Sequence, residues 1–202
     1  MNPGKKNRSG GVCAVVLAAG ASRRMGDENK LLANVHGRPI IRSAVTAALE
    51  AGAGPVVVVT GFEGGRVRAV LSGLDVGFAD NPDYPEGLST SLKAGIEAVP
   101  QDCTGAVIVL GDMPRVSAAI IDKLVDRFET GGGETICVPV HGGRRGNPVL
   151  WPRRFFADLA AVQGDRGGRD LLQRLSGHIE TVEVDTPEIF FDVDTPDDLP
   201  KS

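Results

Sequence analysis

Three cations follow a short apolar run near the amino terminus. Arg23 and Arg24 lie within Leu17-Ala18-Ala19-Gly20-Ala21-Ser22-Arg23-Arg24-Met25-Gly26, and Lys30 stands four residues beyond it. Guanidinium and ammonium groups on one loop suit a polyanion such as a nucleoside triphosphate. One phosphate charge about 4 Å from such a cation gains roughly 4 kcal/mol before desolvation, at the dielectric typical of a protein surface. The small residues Ala18, Ala19 and Gly20 let a flat base or a phosphate come close to the backbone, whose amides cradle anions in loops of this kind. A solvated basic turn after a core strand is the structural alternative, and the loop alone does not separate the two.

Two acidic centres could hold a counter-ion. Ala106-Val107-Ile108-Val109-Leu110-Gly111-Asp112 reads as a buried strand ending in glycine and an acid, which brings Asp112 to the sheet's carboxyl edge beside the basic loop. A carboxylate there suits Mg²⁺, which takes a few protein oxygens and keeps phosphate and water for the rest. Asp112 shaping a turn before Pro114 is the bland alternative. In Phe190-Phe191-Asp192-Val193-Asp194-Thr195-Pro196-Asp197-Asp198, alternation along a strand puts Asp192 and Asp194 on one face. Paired carboxylates repel unless a cation offsets them, but Asp194 or Thr195 before Pro196 and Asp197 also reads as a helix cap. The division expected is that Asp194 faces a metal while Thr195 caps the last helix.

These residues need a frame that gathers them at one edge. Strand-like runs at Val12 to Leu17, Pro55 to Thr60, Val76 to Ala79, Ala106 to Leu110 and Thr135 to Val138 alternate with helical patterns at Pro39 to Ala51, Gly65 to Ser72, Ser89 to Val99 and Ser117 to Glu129. This β/α rhythm predicts an α/β fold with a mostly parallel central sheet and helices on both faces. Ligands collect at the carboxyl ends of such strands. Beyond residue 140 the pattern predicts strands at Pro148 to Trp151, Ile179 to Val184 and Ile189 to Asp192, with helices near Arg153 to Ala161 and Gly168 to Leu175. These late pieces are expected as an antiparallel addition to the same sheet.

The whole chain narrows the class further. At 202 residues and 42% hydrophobic it suits one domain, residues 11–202, after a disordered polar tail at 1–10. A formal charge of -4 gives no reason to expect nonspecific nucleic-acid binding, and no apolar stretch approaches bilayer length. Lys5, Lys6 and Arg8 before Val12 to Ala19 imitate a secretory signal, but cleavage there would remove a strand. Cys13, Cys103 and Cys137 are too scattered for a disulfide framework and read as buried free thiols, which points to a cytoplasmic protein. His36, His141 and His178 lie in unrelated contexts and read as surface or loop residues.

Five segments in order, Leu17 to Gly26 with Lys30, Asn81-Pro82-Asp83-Tyr84-Pro85-Glu86-Gly87-Leu88-Ser89-Thr90-Ser91-Leu92-Lys93, Gly111 to Pro114, Gly146-Asn147-Pro148 and Asp192 to Asp198, carry a resemblance over nearly the whole chain. Together they resemble the molybdenum cofactor cytidylyltransferases, within the MobA-like nucleotidyltransferase superfamily. The resemblance implies a single-domain Rossmann-like nucleotidyltransferase fold with a nucleotide-binding part at about 11–115 and an acceptor-binding part at about 116–202. It implies that Leu17, Ala18, Ala19 and Gly20 line the nucleoside site, that Gly87 and Ser91 approach the pyrimidine, and that Arg24 and Lys30 bind phosphates. Asp112 and Asp194 would share Mg²⁺, so that Arg24, Lys30 and Asp112 are the catalytic groups. The doublet Ala18-Ala19 resembles cytidylyl-transferring members, whereas guanylyl-transferring ones usually carry glycine second, so CTP is the expected donor. The acceptor, molybdopterin or the molybdenum cofactor, would sit against Arg145, Gly146, Asn147, Asp165 and Arg169, since guanidinium groups bind phosphate in bidentate fashion. Asn147 stands where a histidine is common, a departure that bears on the acceptor. Contact with a molybdoenzyme or its chaperone also fits, though no segment marks such a surface.

The expected chemistry is attack by an acceptor phosphate oxygen on the α-phosphorus, with pyrophosphate leaving. A phosphate is already ionised at neutral pH, so the chain needs alignment and charge stabilisation rather than a general base. Four other readings compete. The related guanylyltransferase differs in its base, and a nucleotide-sugar glycosyltransferase would use Asp192-Val193-Asp194 as its acid-x-acid metal motif. An NAD(P)-dependent oxidoreductase recruited from this fold would lack the G-x-G-x-x-G spacing, which Gly20 to Gly26 do not supply. A non-catalytic cofactor carrier would not need Lys30, Asp112 and Asp194.

Overall fold

The computed structural model describes residues 11–21, 29–35, 37–164, 167–195 and 198. In chain order the elements are β1 (Val12–Ala18), β2 (Asn34–Val35), β3 (Arg38–Pro39), α1 (Ile40–Glu50), β4 (Val56–Thr60), α2 (Gly64–Val70), β5 (Gly77–Asp80) and α3 (Leu88–Glu97). They continue with β6 (Gly105–Leu110), α4 (Ala118–Thr130), β7 (Ile136–His141), β8 (Arg144–Arg145), β9 (Val149–Pro152), α5 (Phe156–Ala160), α6 (Gly167–Arg174) and β10 (Ile179–Glu183). The expected α/β fold is present, and the tail at 1–10 lies outside the described residues.

The main sheet runs β10-β7-β9-β6-β1-β4-β5, with β8 paired to β7. Strand β1 pairs in parallel with β4 on one side and β6 on the other. Every residue of β1 is buried, which explains its lack of polar alternation: a central parallel strand is covered on both faces. No helix among the described residues is long and apolar enough to cross a membrane.

The late elements correct the expectation of a simple antiparallel addition. Strand β9 is antiparallel to both β6 and β7 and lies between them rather than at an edge. The connection from β7 to β9 is short, and a parallel pair would require a long crossover. After α5 and α6 the chain re-enters the sheet at the end of the strands where β9 finished, so β10 runs parallel to β7. The segment expected as a strand at Ile189 to Asp192 begins instead in a 3-10 turn, Pro187–Phe190. Thr186 Oγ1 accepts the Glu188 N–H at 3.3 Å, and Pro187 occupies the first position, where a missing N–H costs nothing.

Period-two alternation sorts β1 between two cores. Val12, Ala14, Val16 and Ala18 pack with α1, α2 and α4, whereas Cys13, Val15, Leu17 and Ala19 pack with α3, α5 and α6. Gly95 lets α3 lie close on the sheet, since a methyl group there would meet Val15 Cγ1 at 2.5 Å and Val59 Cγ2 at 3.0 Å. All three cysteines are free and buried, as expected.

Candidate active site

The carboxyl ends of β1 and β6, the turn at Lys30 and the start of α3 enclose a cleft of about 380 Å³. Its lining includes Leu17, Ala19, Gly20, Lys30, Gly87, Ser91, Asp112 and Asp194, eight of the residues expected from sequence. Ala18 does not line it: the residue is fully buried and its methyl turns to the opposite core, because it stands one position out of phase with Leu17 and Ala19. Arg24 and Asp165 lie outside the described residues, as do Arg23 and His36.

Each lining group has a local reason for its place. Asn29 caps the turn Lys30–Leu32, its Oδ1 accepting the Leu31 N–H at 3.1 Å while its Nδ2 donates to Phe62 O at 3.3 Å. Leu31 is buried in the core below, so the turn holds the base of the Lys30 stem beside the cleft. Gly87 precedes α3 with φ 119°, a conformation L side chains rarely adopt. Asn81 is buried, accepts the Asp83 N–H at 3.1 Å, and donates to Thr90 Oγ1 at 2.9 Å and Ser91 Oγ at 3.0 Å. Asn81 therefore positions Ser91.

Asp112 enters from β6 through Gly111, where a methyl group would lie 2.7 Å from Leu17 O and 2.9 Å from Ile41 Cδ1. Asp194 arrives from the far end of the chain, and Val193 N donates to Asp112 O at 3.0 Å, tying the two segments together. The Asp198 carboxylate accepts the N–H groups of Asp194 (3.1 Å) and Thr195 (2.8 Å) and the Thr195 hydroxyl (2.9 Å). This is the reciprocal half of a capping box; the last helix that Thr195 was expected to cap falls outside the described residues.

Lys30 Nζ donates to Asp112 Oδ2 at 2.7 Å and Asp194 Oδ1 at 2.9 Å. Burial works to lower the Lys30 pKa, but Asp112 and then Asp194 together outweigh it and hold the ammonium above its ordinary range. Asp192, Asp112 and Asp194 each offer an oxygen within 4.8 Å of the others. Partial desolvation, then the like charges of Asp194 and Asp112, push the Asp192 carboxyl up. Asp112 Oδ1 is buried and has no hydrogen-bond partner among the described residues. An orphaned oxygen in an all-oxygen donor set is what a hard divalent cation takes, so these residues fit one.

Of the residues expected to bind the acceptor, the four that are described, Arg145, Gly146, Asn147 and Arg169, are not among those lining the cleft. Arg145 stands exposed on β8, in a hairpin at the carboxyl end of β7. Gly146 N donates to Pro139 O at 2.9 Å and Asn147 N to Ile189 O at 3.0 Å. Arg169 is exposed on α6. Tyr84, Pro85 and Leu88 line the cleft without having been singled out. The signal for them was the segment Tyr84-Pro85-Glu86-Gly87-Leu88, where proline and glycine force a turn before a helix. His141 Nδ1 lies 2.8 Å from Val184 O, and exposed His178 lies beside Phe155 with ring centroids 5.5 Å apart; neither lines the cleft.

Comparisons with known proteins bear on the family and the fold. The family model described as the MobA-like NTP transferase domain matches residues 14–179. The molybdenum cofactor cytidylyltransferase of Escherichia coli (strain K12) is 30% identical over 92% of both chains. The nicotine blue oxidoreductase of Paenarthrobacter nicotinovorans is 27% identical over 91% of this chain and 92% of its own. Among solved structures, Rv0371c from Mycobacterium tuberculosis H37Rv superposes with a TM-score of 0.82 at 27% identity, covering 95% of this chain and 96% of that one. The same protein has also been solved in complex with manganese, where the TM-score is 0.76 at 28% identity, covering 93% of this chain and 95% of that one. Matched over most of its length by the family model and by a full-length relative, the chain belongs to the MobA-like NTP transferase family.

Proposed function

We propose that the protein transfers a cytidylyl group from CTP to the terminal phosphate of molybdopterin or the molybdenum cofactor, releasing pyrophosphate. The observation that carries this reading is the convergence of Lys30, Asp112 and Asp194 in a cleft that is also lined by Ala19, Gly20, Tyr84 and the start of α3. The amino end of α3 lies in the wall through Gly87 and Leu88, and the dipole of a helix favours an anion at that end. Ala19 and Gly20 leave room for the nucleoside against Tyr84. The choice of base rests on Ala19 rather than Ala18, because only the Ala19 methyl faces the cleft side of β1.

In this reading an acceptor phosphate oxygen forms the new bond to the α-phosphorus while the bond to the bridging oxygen breaks and pyrophosphate leaves with the electron pair. Lys30, joined by Arg24 in the reading from sequence, offsets charge on the phosphates, and no general base is required. Asp112 and Asp194, with Asp192, would hold Mg²⁺ or another divalent cation. Such a cation supplies Lewis-acid polarisation and charge neutralisation when bound. The acceptor would approach from the carboxyl-terminal part, 116–202, past the hairpin that carries Arg145.

Pyrophosphate release measured with each of the four NTPs, with and without molybdopterin, tests the proposal. Release with CTP that requires the acceptor is expected. Activity with GTP alone overturns the base assignment, and none with any nucleotide overturns the transferase assignment. The similarity to an oxidoreductase makes a nicotinamide-dependent absorbance change the informative control, since a positive result would favour redox chemistry on the same fold.

A further inference from the structure

The Lys30 ammonium sits where a cation ligated by the carboxylates would sit. Its Nζ lies 2.7 Å from Asp112 Oδ2 and 2.9 Å from Asp194 Oδ1, and only 15% of the side chain is exposed. The ligand oxygens of Asp112, Asp192 and Asp194 all fall within 4.8 Å of one another, a span that suits one cationic centre. Among the described residues one ammonium, that of Lys30, meets this group of three carboxylates, and Asp112 Oδ1 keeps no hydrogen-bond partner among them. A dication with several oxygen ligands matches this set better in charge and in ligand number. Two cations at the same oxygens repel strongly in a partly buried site. The turn at Lys30 is fixed by Asn29 and Leu31, but the four-carbon stem above it is flexible.

We propose that Lys30 is the resident counter-ion of the metal site in the free protein, and that a divalent cation exchanges with it. Exchange releases the ammonium from the carboxylates into the cleft that it lines, where an anion can take it. The side chain thus serves the carboxylates or the phosphates, but not both. Metal and nucleotide consequently bind cooperatively, each raising the other's affinity by the same factor. The inference rests on the metal reading given above and goes beyond it by assigning the order of contacts to one side chain.

The test uses Mn²⁺ alone as the probe. Binding is followed by electron paramagnetic resonance for the wild-type chain and for Lys30→Met. In parallel, wild-type amines are labelled with an amine-reactive ester with and without saturating Mn²⁺, and read by mass spectrometry. Loss of the competing charge is expected to tighten Mn²⁺ binding about tenfold or more in the variant. Labelling of Lys30 is expected to rise with Mn²⁺, while the exposed Lys93 and Lys123 stay constant as internal controls. Equal or weaker binding by Lys30→Met, or unchanged Lys30 labelling at saturating Mn²⁺, overturns the exchange and leaves the metal reading standing. No Mn²⁺ binding by either protein overturns both. If Lys30→Met does not fold, labelling of the wild-type protein decides alone.

Discussion

Gly111 and Gly146 both lie where a methyl group would strike a backbone carbonyl, Leu17 O at 2.7 Å in one case and Ile189 O at 2.6 Å in the other. What each close approach delivers is different. After Gly111 the next side chain, Asp112, enters a charged cluster with Lys30 and Asp194. After Gly146 the next residue, Asn147, spends its backbone N–H on Ile189 O, while Arg145 before it stays exposed. The first glycine presents a side chain to chemistry, and the second joins two stretches of backbone. Glycine-centred motifs at one sheet edge therefore divide by whether a neighbouring side chain has charged partners to meet.

The largest effect should come from the first of these two places. Asp112→Ala is expected to reduce pyrophosphate release from CTP by about 10²- to 10³-fold or more, on the scale of losing one transition-state stabilising group. The circular dichroism spectrum should stay unchanged, because Lys30 keeps Asp194 as a partner. Retained activity would remove Asp112 from the machinery. The paired glycine variants sharpen the contrast. Gly111→Ala and Gly146→Ala should each cost about 1–3 kcal/mol in chemical denaturation, the usual range for overpacking. Gly111→Ala should weaken Mn²⁺ binding more than Gly146→Ala, since Gly111 adjoins Asp112 itself whereas a methyl at Gly146 meets Ile189, further along the chain from the cluster. Equal loss of Mn²⁺ affinity in both variants would erase the distinction.

Much of this arrangement was legible in the residues, for reasons that also explain what was not. The all-apolar β1 and the glycine and acid closing β6 are local signals, and they placed Asp112 at the carboxyl edge. Asp192 and Asp194 do come together as alternation suggested, but the chain there follows a 3-10 turn and is not a strand of the sheet. The lodging of Lys30 between carboxylates 82 and 164 residues away could not be read, because charge spacing along the chain says nothing about pairs at that separation. The insertion of β9 between β6 and β7 was equally hidden: an apolar run reports burial, not which neighbours provide it.

The opposite edge of the sheet tests whether such losses are local to the site. Burial, the main cause, and neighbouring Cys103 push the Cys13 thiol up to about 12. A thiol in the unfolded chain ionises near pH 8.5. The folded value lies above the unfolded one, so the stabilisation is complete below about pH 8.5 and is lost as pH rises toward 12. Cys13 should contribute a fall of roughly 1–2 kcal/mol between pH 8.5 and pH 10 in denaturant titrations, and Cys13→Ala should remove that share while the buried, likewise raised Cys137 keeps its own. Mn²⁺ binding at fixed pH should not differ between Cys13→Ala and the wild type; a difference would show that the two edges are coupled.

The smallest effect belongs to the hairpin and asks whether it is a joint alone. Arg145 and Arg169 are exposed, so replacing either by alanine should change stability by no more than about 0.5 kcal/mol. If Arg145 meets the acceptor's phosphate, its contribution is that of a solvent-screened ion pair, about 0.2–1 kcal/mol. Arg145→Ala should then raise the acceptor KM by up to about fivefold and leave the CTP KM unchanged. Arg169→Ala should do the same if α6 faces the same ligand. An unchanged acceptor KM in both variants would reduce Gly146 and its neighbours to backbone packing, and the acceptor would have to be sought nearer Asp192 and Asp194. A rise in the CTP KM instead would place these arginines on the donor side, and the separation between the cleft and the hairpin would collapse.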